Sequence, residues 1–315
     1  MSKYRNHLPQ LDGGFFLTDS GLETTLVFHD GLDLPHFAAF DLLKHAAGRE
    51  RLRAYYKLHA SIAQRGKAGF ILESVTWRAS PDWANLLGYS AEELAQANRK
   101  SIELLVELRD EFETPAMPMV ISGCVGPRGD GYDPGAIMTA EEAEAYHAVQ
   151  IGTFAKTAAD MITAITMTNV NEAIGIARAA KAAGMPSAIS FTLETDGRLP
   201  SGQALKDAIA EVDAKTGSAP AYFMVNCAHP SHFDHILQDE LWIRRLRGIR
   251  ANASKRSHAE LNDSTELDDG NPLEFGEENA AILRRFPHIN VLGGCCGTDH
   301  RHVEQICGAC QKVAA

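Results

Sequence analysis

Val291-Leu292-Gly293-Gly294-Cys295-Cys296-Gly297-Thr298 ends the last apolar run of the chain on two adjacent thiols. The run itself, 289–293, is short and continuous, and a helix-like segment follows it. Seven earlier runs share this character, at 14–18, 69–72, 119–122, 160–165, 187–192, 222–226 and 248–250. Continuous apolar runs of this length suit strands buried on both faces of a parallel sheet. Amphipathic stretches such as 92–111, 140–158 and 171–183 lie between them. Eight strand candidates alternating with helix candidates predict a (β/α)8 TIM barrel, one domain over residues 1–315. A doubly wound open sheet is the alternative. The barrel is preferred because the count reaches eight and no Gly-rich dinucleotide fingerprint follows the first run. Residues 1–13 read as a polar N-terminal arm. Residues 252–272, with Glu260, Asp263, Glu266, Asp268 and Asp269, read as an excursion loop between the seventh strand and its helix.

The chain has 315 residues, 45% of them hydrophobic, enough for a large core. Lys and Arg total 30 against 41 Asp and Glu, a formal net charge of -11, which argues against nucleic acid or an anionic membrane as partner. No apolar stretch has bilayer length and the N-terminus lacks a secretory h-region, so the expected location is cytoplasmic. In that reducing compartment six cysteines are expected as free thiols or metal ligands rather than disulfides. The expected partners are small molecules, and homo-oligomerisation is left open.

Adjacent thiols cannot easily bond to each other, because a disulfide needs a larger Cα separation than one peptide gives. A soft metal suits them better, and the flanking glycines supply the backbone freedom to turn both sulfurs toward it. Cys227 ends the run 222–226 in the same way. In a barrel all strand ends of one sense share a face, so the three sulfurs of Cys227, Cys295 and Cys296 can meet there. Three sulfur ligands with one position open is the pattern of a catalytic zinc site.

These motifs resemble the homocysteine S-methyltransferase family, which includes betaine- and S-methylmethionine-dependent enzymes. Asp19-Ser20-Gly21-Leu22-Glu23-Thr24 resembles its first-strand loop, Val75-Thr76-Trp77-Arg78-Ala79-Ser80 its strand-two segment, and Gly123-Cys124-Val125-Gly126-Pro127 its strand-three turn. Val225-Asn226-Cys227 and Gly293-Gly294-Cys295-Cys296 resemble its zinc motifs and carry the specificity of the match. The resemblance implies a (β/α)8 barrel and Zn2+ on Cys227, Cys295 and Cys296. It implies that a substrate thiol, most simply homocysteine, takes a methyl group from a sulfonium or ammonium donor. It also implies that Asp19, Ser20 and Gly21 touch the amino-acid part of the thiol, that Ser74 and Thr76 lie on the substrate side, and that Asn226 orients the strand-six ligand.

Two departures bear on specificity. The family's strand-four Glu, which binds the acceptor's ammonium group, corresponds here to Ile165. Glu73 and Glu194 are the candidate replacements, although Glu73 neighbours Ser74 and adjacent strand residues face opposite sides. Arg78 stands where the family has an uncharged polar residue near the donor; it would repel an onium centre and could bind a carboxylate. Trp77 and Trp83 offer an aromatic wall for a cationic donor, or plain packing. Cys124 reads as a small buried hydrophobe, Cys307 and Cys310 as incidental helix positions, and His229, His232, His235, His300 and His302 as flanking residues. The favoured function is zinc-dependent thiol S-methylation; the rivals are a related enzyme acting on another thiol, and a non-catalytic barrel with structural or sensory zinc.

Overall fold

The apolar runs become strands because both of their faces are covered. The computed structural model describes residues 1–264 and 266–314. In it, eight parallel strands close into a barrel in chain order. They are β1 (Phe16–Leu17), β2 (Gly69–Glu73), β3 (Met119–Val125), β4 (Met161–Met167), β5 (Ser187–Thr192), β6 (Tyr222–Asn226), β7 (Leu246–Ala251) and β8 (Val291–Gly294). Closure is made by β1, where Leu17 pairs with Phe70 on one side and Leu292 on the other. Outward residues such as Leu72, Ile121, Phe191, Val225 and Leu292 are buried against the surrounding helices.

The predicted amphipathic stretches are helices at Ala91–Phe112, Ala140–Ala155 and Val170–Ala182. The first two start at capping boxes, Ser90 with Glu93 and Thr139 with Glu142, which satisfy the otherwise unpaired N–H groups of the first turn. One connection departs from the alternation. Between β6 and β7 the described residues hold only short turns of helix, Pro230–Phe233, Asp234–Ile236 and Leu241–Arg245. The segment 252–272 leaves β7 as expected but contains its own helical turn, His258–Asn262, and ends where the helix Pro272–Arg285 begins.

The barrel interior has two layers, and the two-residue period of strands fixes them. Phe16, Ile71, Val120, Met161, Ala188, Tyr222, Met224 and Val291 form one apolar cluster near the strand starts. Two residues further along these strands stand Thr18, Glu73, Ser122, Thr163, Ser190, Asn226 and Gly293, and on β7 Arg250, so the upper layer is polar and buried. Its members pair across strands: Ser122 Oγ lies 2.7 Å from Thr163 Oγ1, and Ser190 Oγ donates to Asn226 Oδ1 at 2.7 Å.

The N-terminal arm closes the bottom of this barrel. Leu8 joins the apolar cluster, and Gln10 Nε2 donates toward Tyr222 Oη at 3.4 Å. The buried carboxylate of Asp160, paired with Arg109 at 2.8 Å, accepts the backbone N–H groups of Lys3 and Tyr4 at 2.7 and 2.8 Å. A polar stretch is thus held as a plug. Leu8→Ala should lower unfolding free energy by about 2–5 kcal/mol, read from the urea midpoint, and leave chemistry at the opposite end unaltered. A stability equal to wild type would show that the plug carries no load.

Candidate active site

At the upper mouth of the barrel, strand ends and the loops after them deliver the sulfurs. Cys227 follows β6 with φ 52°, a left-handed conformation that side chains disfavour. Neighbours hold it there. Its N–H donates to the Arg250 carbonyl at 3.1 Å, and its own carbonyl accepts from Asn252 Nδ2 at 3.2 Å and from His258 Nε2 at 2.5 Å. Cys295 follows β8, with its N–H on the Ala251 carbonyl at 2.8 Å. The loop after β1 packs so closely on it that a Cβ on Gly21 would stand 2.5 Å from the Cys295 carbonyl oxygen, so only glycine fits there.

The side-chain sulfurs of Cys227, Cys295 and Cys296 lie within 4.8 Å of one another. Cys227 and Cys295 are joined as a disulfide, and Cys296 Sγ lies 3.9 Å from Cys227 Sγ. The sequence predicts free thiols or metal ligands here; the structure instead pairs two of the three. The link joins Cys227 to Cys295, across the barrel mouth, and leaves the adjacent pair Cys295-Cys296 unbonded. Reduced, the three thiols form a soft donor set that fits zinc. Tetrahedral Zn–S bonds of about 2.3 Å put sulfurs about 3.8 Å apart, close to the Cys227–Cys296 spacing. Burial pushes the Cys296 thiol up and the Tyr132 phenol well up. The phenol therefore keeps its proton, and its oxygen lies 3.2 Å from Cys296 Sγ, within reach to donate to a thiolate. The Tyr132 ring stacks on His258 at 4.2 Å.

Below the sulfurs lies a narrow cavity. Asp19, Ser20, Gly21, Glu73, Ser74 and Trp77 line it, as does Ile165, whose apolar side chain offers no acceptor. Both Glu73 and Ser74 reach it because β2 ends at Glu73 and strict alternation stops there. Four other residues singled out in the sequence stand around the cavity rather than in it. Thr76 Oγ1 lies 2.6 Å from Ser74 Oγ and donates to the Cys124 carbonyl at 2.7 Å. Asn226 holds the left-handed Thr166 through its N–H and hydroxyl, each at 2.9 Å, and its Nδ2 approaches Cys295 Sγ at 3.8 Å. Glu194 sits outside, 3.3 Å from His258 Nδ1. Arg78 is stacked on Trp83 at 3.6 Å and on Trp77 at 4.5 Å, so the face between the two tryptophans is filled by the chain's own cation.

Four residues of the site escape the sequence reading. Arg250 is buried across the cavity floor, with Nη2 on Asp19 Oδ1 at 2.6 Å and Nε on the Gly294 carbonyl at 3.2 Å. Glu23 lines the cavity, its carboxyl pushed up to about 7 by burial and by the neighbouring Asp19. Tyr132 and His258 arrive from loops. The signal for Arg250 is present, a charge at the inward end of a buried run, and Glu23 lies inside the quoted 19–24 motif. Tyr132 and His258 carry no such mark.

Comparison with known proteins bears on the family and the fold. Residues 16–310 match the family model described as homocysteine S-methyltransferase. A selenocysteine Se-methyltransferase of Brassica oleracea var. italica is 24% identical over 315 residues, 91% of this chain and 86% of that one. The homocysteine methyltransferase MmuM of Escherichia coli, in its metallated form, superposes with TM-score 0.71 at 20% identity over 95% of this chain and 98% of that one. Its oxidised form gives TM-score 0.70 at 20% identity, over 93% and 94%. The likeness to MmuM is one of fold.

Burial pushes the Glu73 carboxyl up from 4.5 to about 7, against the opposing pull of Arg250. The folded state therefore binds this proton more tightly than the unfolded chain does. Stability contributed by Glu73 is fully present below about pH 4.5 and is lost as pH rises to about 7. Glu73→Gln should accordingly raise the melting temperature at about pH 8 and change it little at about pH 4. Equal shifts at the two pH values would show that the carboxyl is not held protonated.

Proposed function

The chain belongs to the homocysteine S-methyltransferase family, and on that footing we propose zinc-dependent methyl transfer from a sulfonium or ammonium donor to homocysteine, giving methionine. Its activity as an S-methyltransferase follows from the family, which sets aside a barrel with merely structural or sensory zinc. The observation that carries the finer reading is the gathering of three thiols within 4.8 Å at the mouth of a cavity that also holds Asp19, Ser20 and Gly21.

Cys227, Cys295 and Cys296 would hold the metal, which when bound would keep a substrate thiol deprotonated and nucleophilic. The other roles belong to the chain itself. Asn226 Nδ2 steadies Cys295, and the Tyr132 hydroxyl can donate to Cys296. Asp19 is paired with Arg250, while Glu23 and Glu73 are carboxyls that burial pushes up to about 7, so a cationic group entering the cavity would favour their ionised forms. Both an onium donor and an α-ammonium group meet that condition. Trp77 lines the same space and gives it an apolar wall.

A second reading keeps the reaction and changes the acceptor. Ile165 stands in the cavity where the resemblance expects a carboxylate. The Brassica relative is named for a selenocysteine substrate, so a chalcogen amino acid of another length is the natural rival. Cytoplasmic location belongs to the same proposal, since the reaction needs the thiols reduced; among the described residues no helix is long and apolar enough to cross a membrane.

Protein purified under reducing conditions should carry a single zinc per chain and methylate homocysteine from a panel of onium donors. Cys296→Ala should lose most of the metal and all transfer. Full zinc occupancy in both Cys227→Ala and Cys296→Ala would end the metal assignment. No transfer to any thiol from any donor, in zinc-loaded protein, would end the reaction.

A further inference from the structure

A guanidinium and a carboxyl group face the cavity floor with unused hydrogen-bonding capacity. Arg250 spends Nε on the Gly294 carbonyl and Nη2 on Asp19 Oδ1 and the Ser20 carbonyl. Its Nη1 makes no hydrogen bond among the described residues, and the side chain is only 8% exposed. Glu73 is 4% exposed, and its Oε2 is buried without a partner among the described residues. A buried carboxyl oxygen without a partner is costly unless something occupies it, and the Nη1 donor that lines the same cavity is unspent. They do not satisfy each other, since no ion pair joins Arg250 to Glu73 among the described residues. Both line the one cavity beneath the three sulfurs.

Asp19 cannot serve freely in their place. Arg250 takes its Oδ1 at 2.6 Å, and the Tyr55 hydroxyl donates to its Oδ2 at 3.2 Å. Ile165 offers nothing. Glu194 is turned outward to His258, with its side chain 35% exposed. The cavity thus lacks a carboxyl on β4 and has one on β2. On β7 it has a fixed cation, two of whose three nitrogens are committed to holding β8 and the loop after β1.

We infer that Glu73 and Arg250 are the two poles of a clamp for a zwitterion, Glu73 taking the α-ammonium group and Arg250 Nη1 the α-carboxylate of the acceptor. The ligand class is a short-chain α-amino acid whose side chain ends in sulfur or selenium and points up to the cysteines. This rests on the thiol-methylation reading for the identity of that side chain, but the clamp itself recognises only the amino-acid end. It makes Ile165 intelligible: with the carboxylate moved to β2, an apolar residue on β4 can pack against the methylenes of the substrate.

The clamp can be probed without a thiol. L-Norleucine carries both charged groups, hexanoate lacks the ammonium and pentylamine lacks the carboxylate. In calorimetric titration of the zinc-loaded protein, norleucine should bind about ten- to a hundred-fold tighter than either analogue. Glu73→Gln, which keeps shape, should erase the preference over hexanoate. Arg250→Lys, which keeps a cation near Asp19 but loses the fork, should erase the preference over pentylamine. If Arg250→Lys does not fold, the Glu73→Gln comparison alone decides. Norleucine binding no tighter than both analogues, or a preference over hexanoate that survives in Glu73→Gln, would overturn the clamp. Transfer assays separate this outcome from the fate of the reaction. A protein that methylates 4-mercaptobutyrate and 3-mercaptopropylamine as well as homocysteine keeps the reaction and loses the clamp. One that binds norleucine as described but methylates no thiol keeps the clamp and loses the reaction.

Discussion

The buried ion pair between Arg250 and Asp19 ties the site together. It spans three strands. Arg250 rises from β7, its Nε grips the carbonyl that ends β8, and its Nη2 grips the carboxylate that follows β1. A guanidinium this deep must be paired, because an uncompensated charge in such a place costs about 3–5 kcal/mol. The loop of Asp19, Ser20 and Gly21 therefore has one position available to it, against the backbone of Cys295. From that contact follow the place of Cys295 and Cys296 and, through the Arg250 carbonyl on the Cys227 N–H, the place of Cys227 as well. The sulfurs converge because a charge beneath them has nowhere else to go.

How much of this the sequence displays depends on how local the cause is. The runs 187–192 and 222–226 coincide with β5 and β6 because burial on both faces leaves an unbroken apolar signature. The helix at 92–111 gains one residue at each end, where a capping box written in four consecutive residues sets its start. The three cysteines are legible because they terminate such runs. What the sequence conceals depends on partners far along the chain. Gln10 looks like a polar arm residue and is wholly buried, since Met161 and Tyr222 receive it. Tyr132 reaches Cys296 across 164 residues, from a loop with no periodicity to advertise it.

The same distinction explains the residues whose surroundings differ from the simplest reading. Two-residue alternation sets Glu73 and Ser74 on opposite sides of a strand, yet β2 stops at Glu73 and both enter the cavity. Trp77 and Trp83 are close enough to make a wall, but the residue next to Trp77 is an arginine whose flat cation fits between them. In each case the residue types were informative and the backbone's departure from regularity decided their use.

The division of the barrel interior into an apolar lower layer and a polar upper one has a consequence for descent. Foldedness is stored in Phe16, Ile71, Val120 and their companions, with Leu8 as the plug beneath them. The polar, buried side chains stand two residues further along the same strands. An inward side chain above the lower ring can therefore be exchanged without disturbing the packing of that ring. The base of the barrel can thus stay fixed while the polar layer above it changes.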